Sequence, residues 1–359
     1  NFLVFYMSLI VSYFILNQVF QNDKLKIPNI NLNLNSKLIQ WFLFLLGSSL
    51  AIGHLIYLGD LPAFSALNVE FNTEAVNIRR QITADAETII NYIASFNMKA
   101  FLPFGLLYLL AKKNHKLYWL LLLIGVVYAF SLMQKSYIVI LLVPSLIYAI
   151  FNKKWLFGLK HMGIISIVLY SLVLVHNPEI STLKPIDIAQ SHEHVNKITK
   201  HGKFYSIWTS LKNRVLIVPG KTVSSWFDHI PNDLPFLNGK GYRFAQRFTG
   251  ENYINYAQEL YPIMYPDHAK KGLKGNVNVA HFMYDYANFG RKGLVLSGFM
   301  LAIVFYFVET MFRNNFKFKL SLNLIPLATL SSQALTTLLF SGGWGLLLGL
   351  YYLFISNQD

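Results

Sequence analysis

The chain has 359 residues, of which 54% are hydrophobic and 13% charged; its mean hydropathy is +0.40, and it carries 29 Phe and 21 Tyr. A soluble fold of this length has no interior able to hide that much apolar surface, so the composition points to an all-α polytopic membrane protein. The absence of cysteine excludes disulfides and thiolate chemistry. The formal charge of +14 does not point to nucleic acid, because at least four basic clusters are lysine-rich triplets beside apolar segments.

A helix needs about 20 mainly apolar residues to cross the roughly 30 Å hydrocarbon layer. Nine segments qualify as transmembrane helices: 1–20, 38–58, 97–111, 117–134, 136–151, 161–177, 293–312, 320–340 and 343–356, the third and last being short. The first residue is Asn, so the expected chain is truncated at its N-terminus, with an earlier span missing, and no signal peptide is read. Loops 21–37, 112–116, 152–160 and 313–319 each hold three Lys or Arg and fall on one side in strict alternation. That side is read as cytoplasmic, together with the C-terminus. The outer face then receives loop 59–96 and one long segment, 177–292. The expected organisation is 1–176 with helices 1–6, 177–292 as a large, helical extracytoplasmic catalytic loop, and 293–359 with helices 7–9.

In the first outer loop, Arg79 and Arg80 stand among Glu74, Asp85 and Glu87. Asp85 and Glu87 could ligate a divalent cation, but "TADAETIINYIASF" reads better as an amphipathic interfacial helix with an acidic first turn. The long outer loop holds fifteen Lys and Arg against nine Asp and Glu, a surplus that suits an anionic ligand or anionic lipid headgroups. His192, Glu193, His194 and His201 have loose metal-site spacing, which in a loop is more often solvated, so no metal is expected. No GxxxxGK[ST] or HExxH motif occurs.

Two stretches of the long loop concentrate chemistry. In the first, Leu211 to Phe248, Arg214 opens an apolar segment, Pro219-Gly220 is read as a turn, and Phe236-Leu237-Asn238-Gly239-Lys240-Gly241 forms a glycine-bracketed turn. Arg243 and Arg247, four apart, are candidates for one cationic face. The second is "NVNVAHFMYDYANFGRKG", Asn276 to Gly293. If helical, it places His281 and Asp285 on one face, where the carboxylate can fix the imidazole tautomer of a general base. The competing reading is an interfacial histidine bound to a backbone carbonyl, with Asp285 as a helix charge. Trp208, Trp226, Phe227, Tyr242, Tyr253, Tyr256 and Tyr261 suit either stacking on sugar rings or membrane-interface packing.

With these residues the chain resembles O-antigen or oligosaccharide repeat-unit polymerases of the Wzy class, relatives of the O-antigen ligases. The resemblance covers nearly the whole chain in topology. In sequence it rests on Arg214, the "FLNGKG" turn, and His281 followed by Gly290-x-x-Gly293; ligase-like sequences often place Asn where this chain has Phe282. The resemblance implies a GT-C-like fold and metal-independent, inverting glycosyl transfer without a cofactor at the outer face of a bacterial cytoplasmic (inner) membrane. Donor and acceptor would be undecaprenyl-diphosphate-linked oligosaccharides, the product an O-antigen or capsule polysaccharide, and a chain-length regulator a further partner. In this reading His281 is the base, Asp285 orients it, and Arg214, aided by Arg79, Arg80, Arg243 and Arg247, holds the diphosphate. The alternatives are an O-antigen ligase, a metal-dependent sugar transferase using Asp85 and Glu87, and a lipid-oligosaccharide transporter or flippase. The transporter would need charges within its spans; Glu309 and Lys135, both near span ends, are the ones that stand out in the confident spans.

Overall fold

The computed structural model describes residues 1–20, 35–69, 74, 77–79, 81–82, 87–176, 208–209, 212–243, 245–270, 272 and 274–355. All regular elements among them are helical: α1 (Phe2–Phe20), α2 (Ser36–Leu58), α3 (Thr88–Ala111), α4 (His115–Ser131), α5 (Lys135–Phe151), α6 (Trp155–His176), α7 (Val218–His229), α8 (Tyr256–Met264), α9 (His281–Phe289), α10 (Arg291–Met311), α11 (Phe316–Thr329), α12 (Leu335–Leu339) and α13 (Trp344–Phe354), with several shorter turns. Among the described residues six stretches are long and apolar enough to cross a membrane, and α4 and α5 are shorter apolar helices. This is the architecture of an α-helical membrane protein.

Two expected spans are redrawn. The third starts at Thr88, because TIINYIASF is apolar enough to continue into the following segment through a π-helical turn at Asn97–Phe101. The stretch read as an interfacial helix is therefore in part the first half of a span, with Glu87 at its N-cap. The segment 320–340 is broken: α11 contains Pro326 and stops at Thr329, where the Ser331 and Ser332 hydroxyls donate to the carbonyls of Ala328 and Thr329. A second break separates α12 from α13 at Gly343, whose φ of +84° suits a residue without Cβ.

The backbone clusters into two compact units. One comprises 1–28, 211–313 and 326–338; the other comprises 29–210, 314–325 and 339–359. In the first, α1 packs along α10, so closely that a Cβ on Gly298 would lie 2.8 Å from the Phe5 carbonyl oxygen and from the Leu9 nitrogen. The α9 helix packs on α10 across Gly290.

The second unit is a bundle of α2 to α6 around Leu102, Leu106, Leu121, Tyr128, Ile138 and Leu141. Some of its buried polar groups pair internally, whereas the Ser48, Tyr108 and Ser145 hydroxyls are buried with no hydrogen-bond partner among the described residues. The Tyr128 hydroxyl meets His54 Nδ1 at 2.8 Å, Tyr118 meets His161, and Asn114 both caps α4 and donates to Gln40 Oε1 at 2.7 Å. His115 lies against Phe157, and Lys317 Nζ donates to Asn152 Oδ1 at 2.7 Å. The lysines near 112–116, 153–154 and 317–319 thus gather at one end of this unit.

Candidate active site

The two loop stretches singled out in the sequence are joined in the first unit, and Asn288 is the joint. Leu237 N–H donates to the Ala287 carbonyl and Asn238 N–H to the Asn288 carbonyl, both at 2.9 Å. The Asn288 side-chain oxygen then accepts from Gly239 N–H at 3.1 Å and Gly241 N–H at 3.0 Å. Its amide group donates to the Tyr284 carbonyl at 2.8 Å. One buried side chain thereby satisfies amide groups of the Phe236–Gly241 turn that a tight turn leaves unpaired. A Cβ on Gly241 would lie 2.7 Å from this amide, which explains the second glycine of the turn.

The Gly290-x-x-Gly293 pattern also has a packing origin. Gly290 joins α9 to α10 at φ +59°, with the Phe236 ring against it. A Cβ on Gly293 would fall 1.9 Å from the Asp285 carbonyl oxygen. The glycines let α10 begin directly beneath α9.

His281 opens α9 and is 5% exposed. Its backbone N–H donates to the Leu330 carbonyl at 2.8 Å; the Phe5 and Phe282 rings flank the imidazole edge-on, and Nε2 has no hydrogen-bond partner among the described residues. Burial lowers its pKa to about 4, opposed by the Leu330 carbonyl, so the ring is neutral near pH 7. A neutral imidazole keeps a lone pair available to accept a proton.

Asp285 lies one turn further along α9, as expected, but its hydrogen bond is to a residue other than His281. Its Oδ1 accepts the Tyr242 hydroxyl at 2.5 Å. Burial raises the Asp285 pKa, opposed by Tyr242 and by the nearby Ser297 hydroxyl, which completes no hydrogen bond of good geometry. Burial and the adjacent carboxylate likewise push the Tyr242 phenol up. The pair ties α9 to the residue that follows the glycine turn. A carboxylate-held imidazole occurs elsewhere: His229 Nδ1 and Asp233 Oδ2 are 2.5 Å apart at the exposed end of α7. Four-residue spacing alone cannot tell the two pairs apart, because tertiary partners decide which carboxylate remains available.

The arginines have diverse settings. Arg214 belongs to a π-helical segment, Asn213–Ile217, that runs straight into α7; Pro219-Gly220 sits in the first turn of α7 and is not a turn between elements. Arg243 is exposed over the Tyr253 ring at 5.1 Å and precedes the short helix Gln246–Thr249 that contains Arg247, so the two do not share one helical face. Arg79 is helical and half-buried. Arg80, Asp85, His192, Glu193, His194 and His201 lie outside the described residues. Several expected sugar-stacking aromatics are structural: Trp226 is buried against Tyr284, Phe227 packs on Tyr286, and Tyr256 is buried with its hydroxyl donating to the Pro235 carbonyl at 2.5 Å.

Comparison with protein-family models, curated proteins and solved structures finds no match.

Proposed function

We propose that this protein is a glycosyltransferase that polymerises undecaprenyl-diphosphate-linked oligosaccharide repeat units into a surface polysaccharide. The supporting observation is that the two stretches carrying the resemblance are one physical unit, with the "FLNGKG" turn strapped through Asn288 to the helix that begins at His281. In this reading the neutral His281 accepts the proton of the acceptor hydroxyl as that oxygen attacks the anomeric carbon. The C–O bond to the diphosphate breaks, with inversion, and arginine guanidinium groups, Arg214 first, take up the charge of the leaving diphosphate. Asp285 acts by holding the Tyr242 segment against α9. In this reading the loops that carry the lysine triplets lie on the cytoplasmic side of an inner membrane, and segment 177–292 lies outside it.

The test is purified protein supplied with a lipid-diphosphate-linked repeat unit as sole substrate, with and without chelator. The expected result is a glycan ladder that persists in chelator; absence of a ladder with authentic substrate contradicts the reading. A transporter for the same lipid is favoured by one observation, Lys99 inside a span beside a broken helix. Movement of labelled lipid between leaflets without glycan growth would select it.

A further inference from the structure

Lys99 occupies a place where a cation is costly. It lies near the midpoint of the Thr88–Ala111 span, about 16 Å along the helix from the Thr88 end at the usual rise, more than a lysine stem can cover by snorkelling. Its side chain is half-buried, and no described residue forms a hydrogen bond or ion pair with it. An ionisable side chain at such depth is retained for a function more often than for stability.

Two features of the backbone converge on it. Lys99 is in the π-helical turn Asn97–Phe101, a distortion frequent at functional sites. The α13 helix packs against this turn, and a Cβ on Gly343, its N-cap, would lie 3.1 Å from Lys99 Cβ. The α13 helix has 11 residues, about half the length of a span. Its start is fixed by a 2.7 Å hydrogen bond from Trp344 Nε1 to Asn323 Oδ1, and its N-cap supplies no side-chain hydrogen bond. Half-helices that begin within a bundle direct backbone N–H groups toward anionic ligands.

We propose that Lys99, with the break that precedes α13, forms a binding site for the phosphate of a phosphorylated amphiphile. The site uses none of the residues of the glycine-turn centre and does not depend on the polymerase reading. The Lys99 ammonium, which no described residue pairs, provides the charge, and the ligand phosphate offsets the cost of placing it within a span.

The experiment is thermal unfolding of the detergent-purified protein with farnesyl diphosphate, inorganic diphosphate or farnesol as probes. Farnesyl diphosphate is expected to raise the midpoint of the natural protein in a saturable way, while farnesol does not. Lys99→Met should unfold at a higher temperature than the natural protein when no probe is present, since it removes a charge from within a span, yet need at least tenfold more farnesyl diphosphate for half the response. Lys99→Arg should retain the response within a few-fold, and Lys112→Met should match the natural protein. An equal effect of inorganic diphosphate identifies a soluble phosphate as the ligand of the same site. If Lys99→Met and Lys99→Gln both respond to farnesyl diphosphate like the natural protein, the proposal is overturned. This readout involves no sugar transfer, so it fails or succeeds separately from the polymerisation assay.

Discussion

At the residue scale, Asn288 and His281 carry the account. Asn288→Ala leaves the Gly239 and Gly241 amide groups without their acceptor, at a cost of about 2–4 kcal/mol, and should lower the unfolding temperature while loosening the turn. Faster proteolysis between Phe236 and Gly241 would be the direct sign; an unchanged turn would show that Asn288 is dispensable. The His281 pKa of about 4 lies below its ordinary 6.5, so between those values the unfolded chain binds more protons than the folded one. Stability therefore rises with pH through that window and is complete above about 6.5, by an amount on the order of 3 kcal/mol. Asp285 acts in the opposite sense: its raised pKa gives a contribution that is greatest in acid and is lost as pH climbs through its folded value. His281→Gln should flatten the rise in unfolding temperature between pH 4.5 and 6.5; the same slope in that variant would place the titration elsewhere. The sequence identified His281 and its spacing from Asp285. It could not reveal Tyr242 or Asn288 as partners, because both bridge 43 or more positions of chain and depend on how the glycine turn folds back.

At the element scale, apolar length located the long apolar helices α1, α2, α6 and α10, since burying the backbone of a lipid-exposed segment leaves few alternatives to a helix. It failed where polarity and proline signals compete. Pro326 and the Ser331-Ser332 pair end α11 inside a run that reads as continuously apolar, and Thr88 begins a span that looked interfacial from its acidic flank. The α9–α10 joint has a sharper test. Gly293→Ala places a methyl group 1.9 Å from the Asp285 carbonyl oxygen, so α9 and α10 must separate. The variant should unfold several degrees lower and lose activity, whereas Gly349→Ala, with open space around it, should behave as the natural protein. Equal behaviour of the two would mean that the close approach of these helices is not required.

At the scale of the whole molecule, the lysine clusters that set orientation in the sequence are gathered at one end of the α2–α6 bundle by hairpin geometry. The absence of cysteine makes this orientation measurable with single added thiols. Lys116→Cys and Lys160→Cys should resist an impermeant maleimide applied from outside, and Asp267→Cys should react; the reverse pattern would invert the protein. The proposed function rests on the glycine-turn centre, and its most direct test is a comparison of the natural protein with His281→Ala in synthesis from a lipid-diphosphate-linked repeat unit, at matched membrane insertion. The natural protein should give a ladder of lengthening glycan and the variant none, with substrate binding retained; a full ladder from His281→Ala would contradict the account.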